Sequence, residues 1–167
     1  THAIEAIAKA DAPQGRHRIE HLELGSVEDA KRLGRLGITA SIQPVHSDPA
    51  ILKGYANLID PSTFDAAFPY REMAKGNACV AIGTDAPTAR HLPFPNLYNA
   101  CTRKSALDPS LKTQTNPKSA LSLAQALSGA TAGAAYSRFA EKWTGSLKTG
   151  RICETWARGK LVYAAKQ

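Results

Sequence analysis

Two hydrophobic periods alternate along the chain. In residues 16–24, RHRIEHLEL, the period is two. Arg16, Arg18, Glu20, Leu22 and Leu24 fall on one side of a strand, and His17, Ile19, His21 and Glu23 on the other. This predicts a strand with His21 near its end, on the side of Ile19, facing an enclosed interior. ITASIQ (38–43) reads as a second strand, rich in β-branched residues and stopped by Pro44. CVAI (79–82) is a third, short and continuously apolar, as strands covered on both faces are. Between them the pattern is helical. Residues 3–10 are Ala-rich and closed by a turn over 11–15. Ser26 is placed to cap a helix with Glu28 and Asp29 in its first turn, Ala30, Leu33 and Leu36 on one face, and Gly37 as its end. A helix over 62–75 is expected to finish at Gly76. Further helices are predicted over 94–106, 121–127 and 133–142, and TWARGKLVY (155–163) as a hairpin turning at Arg158-Gly159.

Strands alternating with helices, the strands apolar, define a parallel α/β architecture, in which ligands sit beyond the C-terminal strand ends. Those ends carry His21, then Gln43 and His46, then Asp85. Each has an ordinary structural explanation: a hydrogen-bonded strand histidine, a surface histidine in a Pro-containing loop, a turn aspartate before Ala-Pro. Together, an imidazole and a carboxylate at adjoining strand ends form a partial ligand set for zinc or another divalent ion. His17 and His91 are expected to face solvent.

Composition narrows the class. With 167 residues, 43% of them hydrophobic, the chain suits one ordinary domain. The net charge of +7 comes from 21 basic against 14 acidic residues, scattered singly, which describes a solvated surface and not a nucleic-acid-binding stripe. Cys79, Cys101 and Cys153 are far apart and form no CxxC pair, which argues against a disulfide framework or a zinc ribbon and for a reducing, cytoplasmic setting. No long apolar segment suggests a membrane span.

RHRIEHLEL, GITASIQPVHSDP, VAIGTDAPTARHLPFPNLY and GSLKTGR, in this order, resemble the amidohydrolase superfamily, specifically amidohydrolase family 3, over about residues 3–163. The resemblance implies a metal-dependent hydrolase on a (β/α)8 barrel, acting on amide or other carbon–nitrogen bonds of small molecules. It makes the strand of residues 17–22 barrel strand six, whose His, a metal ligand, is His21. It makes the strand ending at Gly83 strand eight, whose Asp, binding metal and shuttling the proton of the attacking water, is Asp85. The expected ion is zinc, weakly held, and substrate contacts fall to Gln43 and His46, with Arg103 as a further contributor to specificity. The family's paired H-x-H ligands and its strand-four Lys or Glu have no counterpart in these residues, and His2 stays open as a candidate ligand. TGRICETWARGKLVY is shortened relative to the family.

A full barrel of this kind takes about 250 residues. The expectation is therefore α/β: the C-terminal part of a TIM-like barrel over 1–144, about strands six to eight with their helices, and a remnant hairpin of the small β-domain over 145–167. Such a chain is expected to be an amidohydrolase or a fragment of one, inactive alone. The alternative is a catalytically incomplete protein that self-associates or binds a partner. Open strand edges and uncovered helix faces, such as that of 27–36, are expected to drive association with a second copy or with the missing barrel half.

Overall fold

The computed structural model describes residues 1–10, 15–55, 58–146, 154–157 and 160–164. Strands β1 (Arg18–Glu20), β2 (Thr39–Ile42) and β3 (Val80–Ile82) lie side by side in chain order, all parallel. Their register aligns Ile19 with Ala40 and Val80, and Glu20 with Ser41 and Ala81. Because side chains alternate across a sheet, these two rows face opposite ways. The Ile19 row, with Ile42 and Ile82, meets the hydrophobic core, while the Glu20 row lines an open cleft.

The core face is covered by helices. Helix α1 (His2–Lys9) contributes Ile4, and α2 (Val27–Arg35) contributes Ala30 and Leu33. Ser26 caps α2 as expected, its hydroxyl accepting from the Asp29 amide at 3.0 Å. Helix α2 lies against α5 (Tyr70–Lys75) so closely that a Cβ at Gly34 would overlap the Gly76 carbonyl. The α2 face expected to be uncovered is thus sealed, with Ala30 and Leu33 each 1% exposed; only its flanks, Val27 and Leu36, reach solvent.

Other boundaries moved for identifiable reasons. The helix expected over 62–75 is two, α4 (Pro61–Ala66) and α5, broken where Pro69 follows Phe68, whose φ is +56°. The loop after Gln43 contains a 3-10 turn, Pro44–Ser47, and a short helix α3 (Pro49–Leu52) capped by Asp48. Helix α6 (Pro93–Thr102) stops early because Arg103 takes the left-handed conformation, φ +59°. Helix α7 (Leu123–Ser128) runs through a π-turn, Gly129–Gly133, into α8 (Ala134–Tyr136), so the last helical stretch ends before residue 142. Gly133 seats that π-turn on β3, where a Cβ would overlap the Val80 carbonyl. Strands β4 (Glu154–Ala157) and β5 (Lys160–Ala164) pair antiparallel as the expected hairpin; its turn residues 158 and 159 lie outside the described residues, as do 11–14 of the first predicted turn.

Candidate metal centre

The strand pattern placed His21 on the Ile19 side, in an enclosed interior; the backbone does otherwise. β1 ends at Glu20, and a γ-turn follows, with the Leu22 amide donating to the Glu20 carbonyl at 2.9 Å and His21 at φ +68°. The turn breaks the alternation and swings His21 to the cleft side, beside Glu20 and Arg18, where it is exposed. Two residues on, Glu23 is held by its carbonyl, which accepts from the Phe68 amide at 2.6 Å.

His46 comes from the 3-10 turn after β2. That turn is fastened by Asn96, whose Oδ1 accepts from the Val45 amide at 2.8 Å while its Nδ2 donates to the Gly83 carbonyl at 2.7 Å. One buried side chain thereby ties the end of β2 to the end of β3, and so His46 to Asp85. A second clamp is Asp48, fully buried, accepting from Ser105 and from Asn99 Nδ2 (3.0 Å) and the Ala106 amide (2.8 Å). Burial opposes its ionisation, but the hydrogen bonds from Ser105, Ala50, Asn99 and Ala106 outweigh it and hold the carboxyl below its usual range.

The donors converge. His46 Nδ1 and Glu23 Oε1 are 2.9 Å apart, His46 Nε2 and Asp85 Oδ2 3.8 Å, and the His21 and His46 rings stack at 5.6 Å, inclined by 17°. One donor atom from each of His21, Glu23 and His46 lies within 4.8 Å of the others, the geometry of a metal-binding group. The Glu23 hydrogen bond raises the His46 pKa against the pull of burial, with the charges of Glu23 and Asp85 adding to it. Reciprocally, the His46 hydrogen bond lowers that of Glu23, burial again opposing. Asp85 sits in a loop at φ +61°.

The cleft beside these groups holds about 570 Å³ and is lined by Glu20, His21, Gln43, Gly83 and Asp85, with Arg138 at its edge. Gln43 is buried; its Nε2 donates to Glu20 Oε2 at 3.1 Å, and its Oε1 has no hydrogen-bond partner among the described residues. Glu20 also forms an ion pair with Arg18, Oε1 to Nε at 2.6 Å. The structure thus brings together His21, Gln43, His46 and Asp85. It does not bring in Arg103, whose guanidinium is buried over the Tyr70 ring at 4.7 Å with Nε on the Thr115 carbonyl at 2.7 Å, nor His2, exposed on the first turn of α1. His17, expected in solvent, is half-buried with its Nε2 enclosed, while His91 is exposed as expected. Glu23 was not singled out from the sequence, although it shares a strand side with His21 in the alternating pattern.

The model of the Amidohydrolase family matches residues 1–151, and the chain belongs to that family. Among curated proteins it is similar to Protein LONG AFTER FAR-RED 3 of Arabidopsis thaliana, 28% identical over 151 residues, covering 90% of this chain and 25% of that protein. Among solved structures it is similar to an uncharacterized metal-dependent hydrolase from Pyrococcus furiosus, with a TM-score of 0.66 and 22% identity over 87% of this chain and 28% of that one. A second, from Pyrococcus horikoshii OT3, gives 0.66 and 22% over 86% and 28%. The chain spans about a quarter of the length of these relatives. Their likeness supports the mixed α/β fold.

Proposed function

We propose that this chain is part of a metal-dependent hydrolase of carbon–nitrogen bonds, with residues 1–144 as the C-terminal staves of a (β/α)8 barrel and 145–167 as the remnant of a small β-domain. The observation that carries the reading is the meeting of His21, Gln43, His46 and Asp85 at one edge of a parallel sheet, beyond the strand ends. His21 and Asp85 fit a divalent ion, zinc by donor chemistry: imidazole and carboxylate face one cleft, and a ring nitrogen of the neighbouring His46 is enclosed without a hydrogen-bond partner among the described residues. Such an ion supplies Lewis acidity toward water and toward the scissile carbonyl.

The chain's own groups divide the remaining work. Asp85, exposed at the cleft mouth and close to His46, accepts the proton of the attacking water and returns it to the leaving amine. Gln43 borders the cleft, fixed by Glu20, with its amide oxygen enclosed and without a hydrogen-bond partner among the described residues. His46 lies behind the cleft-lining His21 and Asp85, its ring against that of His21. The family's H-x-H and strand-four ligands would come from the other barrel half, so the chain alone is expected to be inert.

The test is hydrolysis of N-acyl and formamide substrates by the chain alone and with the N-terminal barrel half of a family relative supplied in trans. Activity is expected only in the mixture and lost on Asp85→Asn, which keeps the shape but takes no proton. An unchanged rate with that variant would show that Asp85 is not the proton acceptor.

A further inference from the structure

We propose that His46 is a metal ligand through Nε2, completing with His21 and Asp85 a three-ligand site contained within this chain, and that Glu23 is the outer carboxylate that orients the His46 ring. The proposal rests on the reading above, in which His21 and Asp85 face the ion, and adds a residue that reading assigned only to the substrate.

The two ring nitrogens of His46 have different surroundings. Nδ1 is taken by Glu23 Oε1 at 2.9 Å, so the ring has one free position. Nε2 is enclosed, out of reach of solvent, and has no hydrogen-bond partner among the described residues. An imidazole nitrogen buried without a partner is costly unless something else occupies it. Nε2 lies 3.8 Å from Asp85 Oδ2, too long for a hydrogen bond. Two donors sharing one zinc ion at about 2.0–2.2 Å each stand up to about 4 Å apart, so this separation suits a common ion. His21 offers a ring nitrogen within 4.8 Å of a donor atom of His46.

Glu23 fits the outer role. A metal-bound histidine commonly donates its other N–H to a carboxylate, which fixes tautomer and orientation and strengthens the ligand. The count also matters, because a pair of protein ligands holds zinc loosely whereas three is the number that catalytic sites use. The backbone supports the placement: Asn96 binds the turn carrying His46 to the end of β3, two residues before Asp85.

The experiment is zinc titration of the 167-residue chain against a chromogenic chelator, with nitrogen NMR of the histidine rings in the unsubstituted protein. One ion is expected to bind, moving the His46 Nε2 resonance while Nδ1 keeps its proton. His46→Gln is expected to weaken binding by more than about a hundredfold, as His21→Ala and Asp85→Asn do, and Glu23→Gln by clearly less, about tenfold. His91→Ala, at an exposed loop site, should leave it unchanged. A His46 ring unmoved at saturating zinc, with His21→Ala and Asp85→Asn still damaging, overturns the proposal and leaves the hydrolase reading standing. Zinc binding indifferent to all three removes both. A loss on Glu23→Gln as large as on His46→Gln overturns the outer role and makes Glu23 a ligand itself.

Discussion

His21 and Asp85, contributed by different segments, both hold left-handed backbone, φ +68° and +61°. For residues with a Cβ this costs about 1–3 kcal/mol each and persists only where surrounding contacts over-determine it. The γ-turn on β1 and the Asn96 bridge to Gly83 hold the segments on which the two side chains line one cleft. Arg103 spends a similar conformation differently, closing α6 and burying its cation against Phe68 and Tyr70. Tyr70 is fully enclosed, and burial pushes its phenol up to about 12, with the Arg103 charge opposing. Its folded pKa lies above the unfolded value of about 10, so the buried neutral phenol contributes its full stability below pH about 10. Above that the unfolded chain releases the proton first, and stability falls as pH rises toward about 12. Urea unfolding followed from pH 8 to 11 should show a midpoint that is flat and then declines, with a smaller decline in Tyr70→Phe. At this scale the sequence disclosed residue types at strand ends and misjudged orientation. A period of two cannot register one positive φ at His21, and that angle decides which way the imidazole faces.

Elements were legible where period and cap agreed. Ser26 with two following acids marked α2, and the β-branched run marked β2, because those signals are local. The break between α4 and α5 was also written locally, in Pro69, but was outweighed by helical residues on either side. The contact of α2 with α5 was not readable, since it depends on two glycines 42 positions apart, Gly34 and Gly76, meeting backbone to backbone. Adding a methyl group to an exposed mid-helix glycine ordinarily gains up to about 1 kcal/mol. At Gly34 the methyl group would collide with a carbonyl that belongs to another helix, and overpacking of this kind costs about 1–3 kcal/mol or more. Gly34→Ala is therefore expected to lower stability by about 2 kcal/mol, whereas Gly54→Ala, with open space around it, should change it little. Chemical denaturation of the two variants side by side measures the difference.

For the whole molecule, the start of β1 is fastened to the chain beyond α8. Arg16 pairs with Glu141 at 2.7 Å, donates to the Tyr136 carbonyl at 3.1 Å and stacks on Tyr136 and Phe139 at 4.1 and 4.6 Å. Sequence-distant ends thus meet across the cleft side of the sheet. Large apolar side chains nevertheless remain in water: Leu58 is 82% exposed, Phe94 79%, Trp143 78% and Leu123 63%. Scattered singly they would be ordinary, but with a three-stranded parallel sheet they favour association. Sedimentation velocity over a concentration series is expected to show species larger than one chain; a compact monomer throughout would count against this. No helix among the described residues is long and apolar enough to cross a membrane.

By itself the sequence determined the order of strands and helices, the parallel α/β class and the residues at the strand ends, because period, capping and turn chemistry act within a few positions. It placed His21, Gln43, His46 and Asp85 in one neighbourhood through the rule that parallel strands present their C-terminal ends together. Only the tertiary structure decided that Glu23 holds His46, that Arg103 is buried away from the cleft, and that Asn96 joins two strand ends. Each of these depends on distances between residues far apart in the chain, set by how helices pack on the sheet, and no local pattern encodes them.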